Sequence, residues 1–381
     1  MTTFLKTLTL NLFLVCALAN PALSAEMTSK AKQAIVIDDL TGQVLFEKNA
    51  DERMPTSSMS KTMTIYAVFE ALKDGKITLE DTFLVSEKAW KKGGSKMFVE
   101  VDKRVKIEDL IRGVIIQSGN DATIVLAEGL AGDESYFAEA ITAKAHELGM
   151  TNTNFKNASG WPDTDHYSTA RDLATLAHNI IHNFPEHYHY FSEKEFSYNE
   201  INQRNRNPLI YRDIGADGLK TGHTEVGGYG LIGSGVQDDR RVNIVINGLP
   251  DESGRAQESA RLLEWGLRRF EHKTFFNAGD VVAQAAVVFG QDKTVDLRVN
   301  EDAIAAVPKM AIRDVQAQAI VNEPIASPIT QGQELGSLHI LIDDKIAMQY
   351  PLYAAQDVKE KGFIGKTLEK IPYLFQQKQA Q

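Results

Sequence analysis

Three short motifs carry residues that could perform nucleophilic catalysis. The first is Ser58-Met59-Ser60-Lys61, in which a lysine stands three positions after a serine. A serine hydroxyl is a poor nucleophile at neutral pH and needs an adjacent base. Residues three apart share one face of a helix, so Lys61 can reach the Ser58 oxygen. Burial disfavours the charged form of a lysine, so a buried Lys61 can act as that base.

The second motif is Ser118-Gly119-Asn120, which falls between two predicted helices. Its hydroxyl can relay a proton, and its amide can hold a peptide carbonyl. Ser, Gly and Asn also favour ordinary turns, so this motif alone does not establish a site.

The third motif is Lys220-Thr221-Gly222, which precedes a glycine-rich stretch. Lys220 and Thr221 can face a cleft and meet a carboxylate. We expect the small Gly222 to let a peptide substrate lie against the strand backbone. A lysine on an exposed edge strand is also a common protection against aggregation, so this motif too has a structural alternative.

The elements around these motifs predict one α+β domain. A helix from about Pro55 to Leu72 is apolar around most of its circumference, so it is expected to be buried with Lys61 on it. Strands at both ends of the segment with helices between them favour an α+β arrangement. Further strands are predicted at 34–38, 43–47, 229–234 and 242–249, and further helices at 107–117, 121–130, 138–148, 169–181 and 257–270.

The composition changes after Phe276, where short apolar stretches are punctuated by glycine and proline. This pattern predicts a small all-β domain without a catalytic constellation. The chain therefore divides into four segments. They are an export signal at 1–25, a catalytic domain at 26–273, a β-sandwich domain at 274–356 and a tail at 357–381.

The first 25 residues are typical of a cleaved signal peptide. Lys6 precedes a largely apolar run from Leu8 to Leu18, and small residues follow up to Ala25. The run is shorter than the about 20 apolar residues that span a bilayer, so an uncleaved anchor is the less favoured alternative. Cleavage after Ala19 is also possible. The single cysteine lies inside this segment, so the mature chain is predicted to form no disulfide.

The tail at 357–381 has the pattern of a basic amphipathic helix. Its apolar residues recur at helical spacing and its lysines outnumber its acids. Such a helix binds a membrane surface without crossing it. The alternative is a helix packed on the β domain, with a bend at Pro372.

Charge and motif patterns exclude several other functions. The formal net charge is -10, and no basic patch dominates, so we predict no nucleic-acid partner. His178 and His182 are four apart on a predicted helix, but no carboxylate partner is evident, so no metal and no cofactor are predicted. The run 228–233 matches G-x-G-x-x-G without the helix that a dinucleotide site needs.

The order of the three motifs is the specific signal, because S-x-x-K, S-x-N and K-T-G follow one another in penicillin-binding proteins and class A β-lactamases. The chain resembles the low-molecular-mass penicillin-binding proteins with D-alanyl-D-alanine carboxypeptidase activity over its whole mature length. Further stretches that resemble this family lie at 157–161, 168–174, 220–224 and 262–266. The resemblance implies a penicillin-binding-protein/β-lactamase-like transpeptidase domain followed by the small all-β domain.

The resemblance also implies roles for the site residues. Ser58 would form an acyl-enzyme with the penultimate D-alanine of a peptidoglycan pentapeptide, with Lys61 as general base. Ser118 would shuttle protons and Asn120 would position the substrate. The N–H groups of Ser58 and His223 would form an oxyanion hole.

The terminal carboxylate of the substrate would be bound at the third motif. Lys220 and Thr221 would bind it, and Arg206 would help them, since a guanidinium suits a carboxylate. Arg255 is a second candidate for this role, with a surface ion pair as its alternative.

The expected partners are peptidoglycan stem peptides, β-lactam antibiotics and, through the tail, the membrane surface. The expected location is the bacterial cell envelope, on the periplasmic face of the inner membrane. A β-lactamase, a D,D-endopeptidase and a non-catalytic penicillin-binding scaffold remain as alternatives. A β-lactamase would add a glutamate that drives deacylation, and none is placed by the motifs.

Overall fold

The computed structural model describes residues 27–310 and 315–365. The predicted signal at 1–25 and the part of the predicted tail from 366 onward therefore lie outside the described residues. No helix within the described ranges is long and apolar enough to cross a membrane.

The first domain is built on a five-stranded antiparallel sheet with strand order β2-β1-β9-β8-β7. Two small hairpins, β3-β4 and β5-β6, complete its strands. The strands are β1 (Gln33–Asp38), β2 (Val44–Lys48), β3 (Thr82–Leu84), β4 (Arg104–Lys106), β5 (Glu195–Tyr198), β6 (Ile201–Arg204), β7 (Ala216–Thr224), β8 (Gly228–Gln237) and β9 (Arg240–Leu249). Strand β7 is an edge strand, so its free side is open to the rest of the domain.

Seven helices cover the sheet on both faces. They are α1 (Lys61–Lys73), α2 (Glu87–Lys91), α3 (Ile107–Ile115), α4 (Asn120–Ala131), α5 (Glu134–Glu147), α6 (Ala170–Asn183) and α7 (Glu252–Arg269). Successive strand residues point to opposite faces. Ile35 and Val245 accordingly belong to the core with the helices α1 and α3–α6, whereas Val36 and Ile244 pack against α7. The α+β prediction is confirmed.

The second domain is all-β, as predicted. A six-stranded sheet with order β14-β16-β17-β12-β11-β15 and a two-stranded sheet, β10-β13, share one apolar core. The strands are β10 (Phe270–Phe276), β11 (Val281–Val288), β12 (Thr294–Arg298), β13 (Ala303–Pro308), β14 (Val315–Val321), β15 (Ile325–Ala326), β16 (Glu334–Ile342) and β17 (Lys345–Ala354).

Strand pairings of the second domain extend outside residues 274–356 at both ends. Strand β10 begins at Phe270 and pairs with β13, so the boundary at 274 cuts through it. At the other end, Val358 is fully buried and bridges Ile329. Glu360 likewise bridges Gly290. These pairings join distant parts of the sequence, which is why composition alone does not locate them.

Polar contacts connect the two domains. The amide of Gln43 donates to the Ala306 carbonyl over 3.0 Å and accepts from the Ala306 N–H over 2.8 Å. His272 of β10 lies 2.9 Å from the buried carboxylate of Asp38 at the end of β1. The second domain therefore contacts the sheet of the first domain at the end where β1 finishes and the chain turns into β2.

Candidate active site

Ser58 lies on a 3-10 turn, Ser57–Ser60, that leads directly into α1. The sequence predicts one continuous α-helix from Pro55. In the structure the first turn is a 3-10 helix, and the α-helix begins at Lys61. Lys61, the first residue of α1, donates from Nζ to the Ser58 oxygen over 2.8 Å. The predicted nucleophile and the predicted base are therefore in direct contact.

The backbone before Ser58 is held in an unusual conformation. Ser57 has a φ of 51°, in the left-handed region that non-glycine residues rarely adopt. Its carbonyl lies against Gly160, where an added Cβ would come within 1.7 Å of the Ser57 oxygen. Gly160 also has a positive φ of 76°. Only glycine fits at this position. Without a side chain there, the loop that follows α5 can pack directly against the backbone of the nucleophile turn.

A buried hydrogen-bond chain supports the same turn from below. The Nδ1 of His166 accepts from the Lys156 N–H over 3.1 Å, so its Nε2 carries the proton and donates to Ser60 over 2.7 Å. Ser60 in turn lies 2.5 Å from the Thr56 hydroxyl. Burial lowers the pKa of His166 to about 4, so the imidazole stays neutral at neutral pH. No motif in the sequence indicates this chain of contacts.

Lys61 is fully buried, and its amine is shared between Ser58 and the carbonyl of Ser159, 2.6 Å away. Burial lowers its pKa from 10.5 to about 7, and the positive charge of Arg206 acts in the same direction. Lysine is normally protonated at neutral pH, so this environment supplies the neutral amine that a base requires.

Ser118 is buried at the end of α3 with a φ of 57°, and its hydroxyl accepts from Lys220 Nζ over 2.9 Å. Lys220 itself is only 2 % exposed. Its pKa lies well below 10.5 because of burial and of the neighbouring cations Lys61, Arg206 and Arg255. The second and third motifs thus meet through one hydrogen bond.

Asn120 begins α4 and donates from Nδ2 to the Gly93 carbonyl over 2.8 Å. The adjacent residue, Asp121, fixes the loop at 97–99, because its carboxylate accepts the N–H groups of Met97 and Phe98 over 2.8 Å each. Asp121 is a functional support that the motif S-x-N did not reveal, since its partners lie more than twenty positions earlier.

Gly222 lies close to the nucleophile turn. A Cβ at this position would come within 2.9 Å of the Thr56 carbonyl and 3.0 Å of the Met59 side chain. The glycine therefore allows edge strand β7 to approach the nucleophile turn. It thereby positions Lys220 and Thr221 relative to Ser58, and it also lines the cleft.

The cleft consists of two pockets that share Ser58, Ser95 and His223. The smaller, of about 360 Å³, is lined by cations and hydroxyls, including Arg206, Arg255 and Thr221. The guanidinium groups of its walls suit an anion.

Arg206 and Arg255 hold different positions in this smaller pocket. Arg206 donates from Nη1 to the Ser95 hydroxyl over 2.5 Å. Arg255 is 4 % exposed and pairs with the exposed carboxylate of Glu252 over 2.8 Å, so it is not a surface arginine. Ser95, which the sequence did not single out, thus orients the arginine on this wall.

The larger pocket, of about 660 Å³, extends from Ser58 past Asn120 to the Trp161 side chain. Trp161 is 43 % exposed and carries the Lys92 amine 4.2 Å from its ring centroid. His223 stacks on Tyr229 with ring centroids 3.9 Å apart where the two pockets meet. This side of the cleft has the length and the aromatic surface to hold the acyl part of a peptide.

The geometry defines a class of protein before any comparison is made. A buried lysine in contact with a serine hydroxyl, in an open cleft with a cationic end, is typical of enzymes that form an ester on the serine. Within the described residues, one group could hold a metal, namely Asp39, His178 and His182. None of the three lines either pocket of the cleft.

Comparisons with known proteins agree with this class. Residues 20–250 match the D-alanyl-D-alanine carboxypeptidase family, and residues 270–360 match the C-terminal domain of penicillin-binding protein 5. The D-alanyl-D-alanine carboxypeptidase DacC of Escherichia coli K12 is 37 % identical over 372 residues, which cover 94 % of this chain and 93 % of that protein. DacA of Haemophilus influenzae is 36 % identical over 88 % of this chain and 87 % of that protein.

Solved structures give the same result. The structure of penicillin-binding protein 5 from Haemophilus influenzae has a TM-score of 0.78 and 36 % identity, covering 88 % of this chain and 99 % of that one. The carboxypeptidase DacD from Francisella tularensis has a TM-score of 0.79 and 29 % identity, covering 88 % and 95 %. The chain belongs to the D-alanyl-D-alanine carboxypeptidase family of serine-type peptidases.

Proposed function

We propose that this protein removes the terminal D-alanine from peptidoglycan pentapeptides through an acyl-enzyme on Ser58. The observation that carries the proposal is the contact between Ser58 and the buried Lys61, whose Nζ lies 2.8 Å from the hydroxyl oxygen. The pKa of Lys61, lowered to about 7, makes that amine a competent base at neutral pH.

The first step is acylation. The Ser58 oxygen attacks the carbonyl carbon of the penultimate D-alanine while its proton passes to Lys61. The bond from that carbon to the nitrogen of the terminal D-alanine breaks, and the nitrogen leaves with a proton. Ser118, which is hydrogen-bonded to Lys220, is placed to pass on that proton.

The second step is hydrolysis of the ester. Water attacks the same carbonyl carbon, the bond to the Ser58 oxygen breaks, and the serine recovers its proton. We infer that the N–H groups of Ser58 and His223 stabilise the negative oxygen in both steps. Loss of one such donor typically costs about 3 kcal/mol of transition-state stabilisation.

Recognition of the free carboxylate is assigned to the smaller pocket. Thr221, Arg206 and Arg255 line this pocket and provide the hydroxyl and guanidinium groups that suit a terminal carboxylate. Lys220 is buried beside it, with its amine hydrogen-bonded to Ser118 of the pocket wall. The requirement for a free carboxylate would restrict the enzyme to the end of a stem peptide. A β-lactam antibiotic carries a carboxylate at the corresponding place and would acylate the same serine.

The carboxylates that line the two pockets do not favour a β-lactamase. Among the described residues these are Glu225 and Glu252. Glu252 is engaged by Arg255, and neither is hydrogen-bonded to Ser58 or Lys61. A water-activating glutamate would have to reach the ester, so we propose slow deacylation after penicillin binding.

The test is to measure D-alanine release from a D-Ala-D-Ala-terminated peptide beside labelling by fluorescent penicillin. We expect release, a stable label, and loss of both in Ser58→Ala. Rapid hydrolysis of the drug without a stable label would indicate a β-lactamase, and labelling without alanine release would indicate a scaffold. Cleavage confined to cross-linked muropeptides would indicate an endopeptidase.

We further propose that the enzyme acts in the bacterial cell envelope, at the periplasmic face of the inner membrane, after removal of residues 1–25. The C-terminal tail would hold it at the surface as a basic amphipathic helix. The exposed side chains of Phe363 and Ile364, at the start of that tail, support this proposal, since their exposed fractions are 86 % and 76 %.

A further inference from the structure

The histidines of α6 face a carboxylate that the sequence did not place beside them. His178 and His182 lie one helical turn apart, and their rings are 4.3 Å apart between centroids. Asp39, at the end of β1, lies between the two. Its Oδ1 is 2.9 Å from His178 Nδ1 and its Oδ2 is 2.7 Å from His182 Nε2.

We propose that Asp39, His178 and His182 form a zinc-binding site that joins α6 to the central sheet. Two imidazole nitrogens and one carboxylate oxygen are a ligand set that Zn²⁺ prefers, with water as the fourth ligand. The three ligand atoms lie within 4.8 Å of one another. Tetrahedral Zn²⁺ needs ligand atoms about 3.4 Å apart. The two short contacts would therefore lengthen by about 0.5–0.7 Å, and the widest pair of ligand atoms would shorten by up to about 1.4 Å.

The carboxylate is held in place before any ion arrives. Asp39 is 4 % exposed, and its Oδ1 accepts from the amide of Asn243 over 2.6 Å. Its backbone N–H donates to the Arg241 carbonyl over 3.0 Å. Such contacts with a ligating carboxylate orient it and typically raise metal affinity by tenfold or more.

The two histidines remain accessible to an ion from solution. Their side chains are about half exposed, at 48 % and 50 %. The nearest strong cation, Arg241, is already paired with Asp217 through contacts of 2.9 and 2.8 Å. A neutral imidazole can move its proton to the solvent-facing nitrogen, so ion binding does not require a charged group to be buried.

The site would stabilise the fold without acting in catalysis, because none of its residues lines the cleft. Helix α6 is also joined to the sheet by apolar contacts and by the ion pair of Arg171 with Glu47 of β2. An ion bound by both would raise the melting temperature by an amount that grows with the logarithm of the ion concentration above the dissociation constant.

The test is a zinc competition titration with a chromogenic chelator, on the full chain carrying no histidine tag. We compare the wild type with His178→Gln, His182→Gln and the control His189→Gln, an exposed histidine on the 3-10 turn 188–192 that follows α6. We expect one zinc per chain in the wild type and in the control, bound at least about tenfold more weakly in the other two variants. Zinc should also raise the melting temperature of the wild type and of His189→Gln, and it should not raise that of His178→Gln or His182→Gln.

Retained D-alanine release in every variant establishes that each is folded. Equal zinc affinity in the wild type and in His182→Gln would overturn the proposal. It would also be overturned if crystals grown with zinc gave an anomalous peak elsewhere and none between Asp39 and the two histidines.

Discussion

The pH dependence of acylation follows directly from the burial of Lys61. A pKa lowered from 10.5 to about 7 leaves about half of the lysine neutral at pH 7, instead of about one molecule in 3,000. This difference corresponds to about 5 kcal/mol in favour of the neutral form. Because the base acts only when neutral, acylation should accelerate as the pH rises and reach a plateau above about 7.

The assay is stopped-flow labelling with a penicillin that has no titratable group between about pH 5 and about pH 9. Well below the pKa the second-order rate constant should fall tenfold for each pH unit, so at pH 5 it should be about fiftyfold lower than at pH 7 and about a hundredfold lower than on the plateau. Lys61→Arg remains charged and should lose about 10²–10⁴-fold at all these values. A rate constant that does not change across pH 7, or a variant within tenfold of the wild type, would refute the reasoning.

The same pKa has a consequence for stability. The unfolded chain binds the lysine proton below 10.5 and the folded chain only below about 7, so stability falls as the pH decreases between these values. At pH 7 the cost is of order 4 kcal/mol. Lys61→Met removes it and leaves the Ser159 carbonyl unpaired, which costs about 1–3 kcal/mol. We therefore expect an inactive variant with a raised melting temperature, and a lowered one would contradict the account.

Three further predictions concern the cleft and the tail. Gly160→Ala should lower the melting temperature and slow penicillin labelling far more than Gly132→Ala, since both have positive φ but only Gly160 would clash with a backbone carbonyl. Equal losses in Gly160→Ala and Gly132→Ala would show that the backbone strain of a positive φ, and not the clash with Ser57, causes the loss. Arg206→Ala should lower kcat/KM about tenfold to a hundredfold for a peptide acid and leave the peptide amide unchanged. Equal losses for acid and amide would argue against carboxylate binding. Ending the chain after Gly362 should release the enzyme from membranes with unchanged D-alanine release, and retention on membranes would contradict the anchor.

The local part of the site could be predicted from the sequence. A serine and a lysine three apart near a helix start, followed by the other two motifs in order, are signals carried by short stretches. The buried helix α1 was predictable for the same reason, because its apolar residues surround it. The strands β1, β8 and β9 were also visible as apolar runs.

The parts that escaped prediction depend on contacts between distant stretches. The close approach of Gly222 to Thr56 could not be predicted, because the two residues lie far apart in the sequence. The second domain was given boundaries that cut β10 and excluded Val358, whose partner is Ile329. Asp39 could not be connected with the histidines of α6 for the same reason.

Mass spectrometry of the penicillin-treated protein tests the central claim most directly. The account predicts an intact mass increased by one drug molecule and, after proteolysis, a modified peptide with the drug on Ser58. Modification of another residue, or an unmodified chain with the drug consumed, would contradict the assignment of Ser58 as the nucleophile.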